Sequence, residues 1–261
     1  MLEIGELLIG SLNVEIDGRA VSPEVASSTA SAFGHFTAMQ VRGGRTRGLA
    51  LHLSRLEGAN RELFDAGFDG ERVRVLIRHA LGETEDASVR VYSFEADPDP
   101  AVMVTVKESG GVHSPQRLRS VRYQRPDAHL KHLATSQGYY SRLARDEGFD
   151  DALLTGDGGT VSESATANIG FFDDRGVVWP DAPLLHGITM QLLEGSLPEL
   201  GVSSRRASVR LRDIPSFEGA FLSYARGIAV VSGVDDISLP ERAERMKTLA
   251  DAYASVPWDT V

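Results

Sequence analysis

Residues 153–179, LLTGDGGTVSESATANIGFFDDRGVVW, contain three short apolar runs separated by tight polar turns. Asp157-Gly158 is a dipeptide typical of β-hairpin turns, so the pattern predicts a three-stranded antiparallel meander. The middle run carries Glu163 and Asn168 among small Ser, Ala and Thr residues. A Glu on a hairpin is ordinarily a surface residue. The small neighbours leave open why a carboxylate and an amide occupy this central run.

The remainder of the chain mixes the same hairpin signals with helical apolar spacing. Asp17-Gly18 and Gly43-Gly44 predict two further hairpin turns, the first within residues 3–21. Apolar residues at helical spacing predict helices over 51–68, 69–83, 128–148 and 239–256, and residues 182–201 are expected to form a loop that leads into a helix ending near Pro198. Residues 208–214 are expected to form a strand, and residues 219–236 a pair of strands. Together these signals predict an α+β fold.

A change of composition divides the sequence. Residues 109–120 are rich in Gly, Ser and Pro and are the candidate linker. We therefore expect a small N-terminal α+β domain over residues 1–110 and a larger C-terminal domain over residues 121–261. A chain of 261 residues suits one large or two modest domains.

Composition excludes several classes of function. The net charge is -10 and no basic stripe is present, which argues against a nucleic-acid partner. The chain has no cysteine, so disulfides, thiolate metal sites and a Cys nucleophile are excluded. His129 and His132 are three apart but have no complementary second cluster, so no metal site is expected. No signal peptide or apolar membrane span is apparent, and a cytoplasmic location is the default expectation.

Lys131 is the best amine nucleophile of the sequence. Of the 27 Lys and Arg residues, only Lys107, Lys131 and Lys247 are Lys. An Arg is always protonated, whereas a desolvated Lys can attack a carbonyl. Lys131 lies between apolar residues at the start of a predicted helix, while Lys247 lies on a charged helix face. A structural or surface Lys131 is the alternative.

Two places could bind a phosphate group. Gly187, Ile188 and Thr189 fall where a loop enters a helix, so free N–H groups and a hydroxyl would face an anion. An ordinary Thr N-cap is the alternative there. Arg55, between leucines at a helix start, could form a forked contact with phosphate or lie on the surface. No P-loop, dinucleotide fingerprint or GxSxG elbow is present, and no spacing singles out a pair of carboxylates.

The order of these segments resembles the class IV aminotransferases, the fold-type IV pyridoxal-phosphate enzymes. HLSRL with Arg55, HLKHL with Lys131, DGGTVSESATANIGFF with Glu163 and the Gly-Ile-Thr helix entry carry the resemblance. It extends from about residue 30 to the C-terminus, and LKHL is similar to the 4-amino-4-deoxychorismate lyase branch. The resemblance implies a small N-terminal α/β sandwich, a larger barrel-like C-terminal α/β domain, pyridoxal 5'-phosphate between the two domains, and a homodimer.

The resemblance also implies roles for individual residues. Lys131 would form the Schiff base with the cofactor aldehyde and then move the proton between substrate and cofactor. Glu163 would contact the pyridine nitrogen and keep it protonated, which makes the ring an electron sink. Arg55 and the amides of Ile188 and Thr189 would hold the phosphate. Asn168 would support the loop around Glu163.

The sequence departs from the family pattern in two places. Ser223 and Tyr224 stand where the family often has a Gly-Thr pair at a second phosphate contact. Thr37 follows Phe36 in a segment that lines the substrate pocket of relatives and usually carries an acidic residue. Arg90 is a candidate for binding the substrate carboxylate, with a structural Arg as the alternative.

Three functions remain open at this point. The first is an aminotransferase that moves an amino group between an amino acid and a 2-keto acid. The second is a lyase that cleaves 4-amino-4-deoxychorismate to 4-aminobenzoate and pyruvate with the same lysine. The third is a binding module that retains the scaffold without catalysis.

Overall fold

A computed structural model describes residues 10–22, 25–26, 33–133 and 135–261. The chain divides into two compact units. The N-terminal unit comprises Met1–Gly111, Leu130–Ala134 and Pro257–Val261, and the C-terminal unit comprises Val112–His129 and Thr135–Val256. Part of the first predicted hairpin, residues 3–9, lies outside the described residues.

The N-terminal unit is built on a five-stranded antiparallel sheet of order β2-β1-β6-β5-β3. A small second sheet pairs β4 with β16. The strands are β1 (Ser11–Ile16), β2 (Arg19–Ala20), β3 (Gly34–Val41), β4 (Arg45–Arg47), β5 (Ala87–Phe94), β6 (Ala101–Glu108) and β16 (Trp258–Thr260). The helices are α1 (Leu49–Phe64) and α2 (Gly70–Leu81).

The two helices cover one face of this sheet because each has a single apolar side. Val89 and Val91 of β5 pack in one core cluster with Leu56 of α1 and Ile77 of α2. Asp69 caps the N-terminus of helix α2, because its side chain accepts a hydrogen bond from the Arg72 N–H, and Gly82 follows the last helical residue. The predicted helices over 51–68 and 69–83 are confirmed.

The C-terminal unit is built on a mixed sheet of nine strands, in which β15 pairs with β14 beside the main order β12-β11-β10-β13-β14-β7-β8-β9. The strands are β7 (Gln116–Arg122), β8 (Asp151–Thr155), β9 (Val161–Ser164), β10 (Asn168–Asp173), β11 (Gly176–Pro180), β12 (Ser204–Ala207), β13 (Gly219–Tyr224), β14 (Gly227–Val234) and β15 (Ile237–Ser238). The helices are α3 (Gln137–Asp146), α4 (Ile188–Ser196) and α5 (Ala243–Ser255). With these sheets and helices in both units, the predicted α+β class is confirmed.

The predicted meander is wrong in one respect, because its middle run is two strands. Glu163 lies in β9, which pairs with β8, and Asn168 begins β10, which pairs with β11 and β13. The turn between β9 and β10 is closed by the Ser164 hydroxyl, which accepts hydrogen bonds from the N–H groups of Thr166 and Ala167. The carboxylate and the amide therefore belong to separate strands.

Three other segments differ from the sequence expectations. Lys131 lies outside the predicted helix, because residues 131–133 hydrogen-bond to the free edge of β3 and α3 begins only at Gln137. The strand expected over residues 208–214 lies earlier, at Ser204–Ala207, and Leu211–Ser216 is a 3-10 helix. Strand β7 begins at Gln116, inside the predicted linker. No helix among the described residues is long and apolar enough to span a membrane.

Candidate active site

Glu163 is a buried carboxylate of the C-terminal unit, and its charge is balanced by a buried arginine. The Arg125 Nε lies 3.0 Å from the Glu163 Oε1, and the two side chains are 2% and 8% exposed. The Arg125 Nη2 also donates to the Ala128 carbonyl oxygen, which fixes the guanidinium against its own loop. Burying a carboxylate costs several kcal/mol of folding free energy unless it is paired and hydrogen-bonded, so the contact with Arg125 offsets the burial of Glu163.

Glu163 and Asn168 both hold the backbone of Leu185. The Leu185 N–H donates to the Glu163 Oε2 at 3.2 Å, and the Leu185 carbonyl accepts from the Asn168 Nδ2 at 2.6 Å. The Asn168 Oδ1 accepts a further hydrogen bond from the Gly187 N–H at 3.1 Å. The two side chains, five residues apart in sequence, thereby fix the loop that leads into α4.

The loop delivers the N-terminus of α4 to this region. Gly187 precedes the helix without a side-chain cap, and a Cβ at Gly187 would collide with the Asn168 Oδ1. The first N–H groups of a helix have no acceptor within the helix, and they carry the positive end of its dipole. Ile188 and Thr189 contribute two of these groups, and both residues are buried. This is the geometry of an anion-binding helix end.

Ser223 lies on the same side as this helix end. Its direct partner on the neighbouring strand is Asn168, whose side chain reaches the 185–187 loop. The Ser223 side chain is 2% exposed, and its Oγ has no hydrogen-bond partner among the described residues. Burying a hydroxyl without a hydrogen-bond partner costs free energy of folding, so the Ser223 Oγ is a candidate contact for a polar ligand.

Tyr224 takes a different position from Ser223, since consecutive strand residues point to opposite faces. Its ring packs against the core cluster that contains Leu222 and Ala229. Burial raises the pKa of the Tyr224 phenol, against smaller lowering contributions from Arg226, the His113 backbone and the Gln116 side chain. Its carbonyl oxygen accepts from the Thr189 hydroxyl at 2.9 Å. Tyr224 therefore supports α4 through its backbone.

Lys131 belongs to the N-terminal unit. Its carbonyl accepts from the Phe36 N–H at 2.9 Å, and the Leu133 N–H donates to the Gly34 carbonyl at 2.9 Å. The Lys131 Nζ lies 4.8 Å from the centroid of the Phe36 ring, within the range of a cation–π contact. Strand pairing and the aromatic ring thus hold the lysine at the edge of β3.

Arg55 lies on α1 and is half-buried. One turn earlier, the fully buried His52 shares a 2.6 Å hydrogen bond between its Nδ1 and the Thr37 Oγ1. Burial, and secondly the positive charge of Arg55, lower the pKa of His52 to about 3. The Thr37 hydroxyl is 0% exposed and is engaged by His52.

Arg90 lies on the other face of the same sheet, which carries the stacked rings of Phe36 and Tyr92. Its direct partner on β6 is Thr105. The Arg90 Nη1, the Tyr92 hydroxyl and the Thr105 Oγ1 are buried, and none has a hydrogen-bond partner in the part of the chain that is described. Three neighbouring polar groups in this state favour an anionic ligand there.

The predicted site residues thus fall into two sets. The C-terminal unit brings together Glu163, Asn168, Ile188, Thr189 and Ser223, and the N-terminal unit carries Lys131, Arg55, Thr37 and Arg90. Sequence reasoning missed Arg125 and His52. Nothing singled out Arg125 among so many arginines, and its pairing with a Glu 38 residues away leaves no local signal. No group of His, Cys, Asp or Glu within the described ranges could hold a metal ion.

Comparison with known protein families identifies the family of this chain. The profile described as Amino-transferase class IV matches residues 34–232 of the chain. The chain belongs to the class IV aminotransferases. The match contains the whole of both residue sets, from Thr37 to Ser223.

Individual proteins are also similar to this chain in sequence or in fold. The probable branched-chain-amino-acid aminotransferase of Rickettsia felis is 35% identical over 94 residues, which cover 35% of this chain and 31% of that protein. The chain therefore spans only about a third of the length of the curated relatives it matches.

Two solved structures share the fold at lower identity. A hypothetical aminotransferase from Mycobacterium tuberculosis in its PLP-bound form has a TM-score of 0.80 at 20% identity, with 93% of this chain and 99% of that chain covered. A candidate 4-amino-4-deoxychorismate lyase from Legionella pneumophila has a TM-score of 0.72 at 19% identity, with 84% and 91% covered.

Proposed function

We propose that the protein is an aminotransferase dependent on pyridoxal 5'-phosphate, which moves an amino group between an amino acid and a 2-keto acid. The observation that carries the proposal is the buried Glu163, which hydrogen-bonds to the backbone of Leu185. Asn168 hydrogen-bonds to the same residue and also to Gly187, which immediately precedes α4. A carboxylate and an anion-binding helix end in one rigid frame suit a ligand with a basic ring nitrogen and a phosphate group.

The fit of the residues to this cofactor is supported by the buried Ser223 hydroxyl and by the N-terminus of α4. The phosphate would accept hydrogen bonds from the Ile188 and Thr189 N–H groups and from the Ser223 Oγ, which is buried and has no partner among the described residues. Arg55 would add a charge-assisted contact. Glu163 would accept the N–H of the pyridine ring, with Arg125 offsetting the cost of the buried charge.

Lys131 supplies the amine that would bond to the cofactor aldehyde. When bound, the cofactor provides an electron sink for the pair of electrons left at the substrate α-carbon. The Lys131 Nζ would accept the proton from that carbon as a general base. It would then donate the proton on the cofactor side as a general acid. Arg90 would hold the substrate carboxylate, since its Nη1 is buried without a partner within the described part of the sheet.

A lyase that releases pyruvate is the second candidate function. It is favoured by the LKHL segment around Lys131 and by the fold shared with the Legionella pneumophila protein. Both reactions use the same amine and begin with the same proton abstraction, and they differ in whether the proton is then returned or the pyruvate portion is eliminated. Which reaction follows depends on the substrate that Arg90 and its neighbours accept. A homodimer, which the family resemblance implies, is proposed for either activity.

The test is a product assay with the purified protein and added PLP. A panel of L- and D-amino acids is offered with 2-oxoglutarate or pyruvate as amino acceptor, and the new amino acid is measured by chromatography. We expect amino transfer that requires the keto acid. Formation of pyruvate and 4-aminobenzoate from 4-amino-4-deoxychorismate without any acceptor would favour the lyase. If neither amino transfer nor these lyase products are detected, a binding module is favoured.

A further inference from the structure

Strand β3 is held from two sides by the elements that carry Arg55 and Lys131. Its residues alternate, so His35 and Thr37 face α1, while the backbone of Phe36 between them pairs with Lys131. All of these residues belong to the N-terminal unit. The strand is therefore the physical connection between the two residues that the proposed function assigns to opposite ends of the cofactor.

On the helix side, two polar bridges anchor α1 to the sheet. The His52 Nδ1 lies 2.6 Å from the Thr37 Oγ1, and the Asn60 Oδ1 lies 2.7 Å from the His35 Nε2. The Ser93 hydroxyl also donates to the Asn60 Oδ1 at 2.7 Å. His52 and Asn60 are eight residues apart, which is about 12 Å along a helix, and Arg55 lies between them.

Buried apolar contacts are non-directional and would tolerate small shifts of α1 along the sheet, whereas hydrogen bonds at two separated points would not. Both histidines are neutral near pH 7, because burial lowers the pKa of His35 to about 4 and that of His52 to about 3. A neutral His52 can sit one turn from Arg55 without repelling it. The bridges therefore remain intact across the neutral pH range.

We propose that His52 and Asn60, with their partners Thr37 and His35, are positioning residues that set the separation of Arg55 and Lys131 for a ligand that engages both. The ligand is an aldehyde that carries a phosphate group, so this inference rests on the proposed function. A ligand that reaches only Lys131 does not require the spacing. The bridges should thus matter for pyridoxal 5'-phosphate and not for pyridoxal, which lacks the phosphate.

The experiment replaces both partners of one bridge by apolar residues of similar shape, in the double variant Thr37→Val/His52→Leu. Removing both partners is close to neutral for stability, whereas removing one leaves a buried polar group without a partner. The matched control is Ser88→Ala, which removes the Gln40–Ser88 hydrogen bond between β3 and its neighbour β5 without touching α1. Thermal unfolding checks that each variant is folded.

The readout is the dissociation constant of each apo-protein for pyridoxal 5'-phosphate and for pyridoxal, by absorbance titration. We expect the double variant to lose about tenfold in affinity for the phosphorylated ligand, a coupling typical of residues in one network. Its affinity for pyridoxal should change less than about twofold, and the control should change for neither ligand. Unchanged or equally weakened binding of both ligands by the double variant would overturn the inference.

Arg55→Ala separates this inference from the proposed function. If Arg55→Ala selectively weakens pyridoxal 5'-phosphate while the double variant does not, the positioning role is wrong and the proposed function stands. If the wild-type protein binds neither ligand, the proposed function fails and the positioning role fails with it.

Discussion

Arg125 and Glu163 form an ion pair inside the C-terminal unit, with 3.0 Å between the Arg125 Nε and the Glu163 Oε1. The Glu163 Oε2 is used by the Leu185 N–H, so the carboxylate is held at both oxygens. An ion pair with so little exposure contributes less to net stability than to the placement of its charge. We interpret the pair as the means by which a negative charge is kept at one fixed point of the sheet.

The first prediction concerns this pair. Arg125→Met should lower the free energy of unfolding by about 3 kcal/mol, because it leaves the Glu163 charge buried without its partner. Urea denaturation monitored by circular dichroism measures the change. The control is Arg122→Met, which removes the ion pair with Asp157 at the exposed surface of the same unit and should have almost no effect. Equal effects of the two substitutions would contradict our view of the buried pair.

The second prediction concerns the entry to α4. Gly187→Ala would place a Cβ against the Asn168 Oδ1, so the amide must move and the loop with it. We expect the rate of amino transfer to fall about 100-fold, which is the scale for a misplacement of about 1 Å at a reacting site. Gly195→Ala is the matched control, since a Cβ there meets nothing within 4 Å on the same helix. A Gly187→Ala variant with full activity would refute the role of this helix end.

The third prediction is a pH dependence of stability. The pKa values of His35 and His52 are lowered in the folded state to about 4 and about 3, from an ordinary 6.5. The unfolded chain therefore binds more protons below pH 6.5, and stability is lost as the pH falls from there toward 4. Each histidine should cost on the order of 2 kcal/mol at pH 5.

Urea denaturation at pH 7, 6 and 5 measures this loss. In Thr37→Val/His52→Leu the slope between pH 6 and 5 should decrease by about 1.2 kcal/mol per pH unit, because the unfolded chain takes up most of one proton at His52 over this range. His129→Gln, at an exposed position, is the control. A slope in the double variant equal to that of the wild type would show that His52 is not neutral in the folded protein.

The fourth prediction concerns the start of α1. The helix begins after Gly48, which has no side chain to cap it, and the Leu49 N–H instead donates to the Asp259 Oδ2 at 2.9 Å. Asp259→Ala should destabilise the protein by about 1 kcal/mol, as the loss of an N-cap does. Asp251→Ala removes an exposed pair with Lys247 on α5 and should cost only about 0.3 kcal/mol. Thermal melts compare the two variants, and equal shifts would exclude capping by Asp259.

Local signals in the sequence predicted the parts of the fold that depend on neighbours in the chain. The turn at Asp17-Gly18 connects β1 with β2 as expected, and the apolar spacing of α1 and α2 corresponds to their buried faces. Lys131 could not be placed in this way, because a pairing with Gly34 and Phe36, about a hundred residues earlier, overrides the local preference for helix.

The same reason explains what was missed at the site. Glu163 and Asn168 stood out as polar residues among small ones, and they are indeed buried. Their common partner, the backbone of Leu185, lies 22 and 17 residues further on, and a backbone group has no signature in a sequence. His52 appeared as one more polar residue of a helix start, and only its contact with Thr37 of a separate strand distinguishes it.

The most direct test of the central claim is to locate the amine that binds the cofactor. The protein is incubated with pyridoxal 5'-phosphate, reduced with borohydride and digested, and the modified peptide is identified by mass spectrometry. We predict a single phosphopyridoxyl group on Lys131, and none in the variant Lys131→Ala. Modification at Lys107 or Lys247 with Lys131 untouched, or no modification at all, would contradict the proposed function.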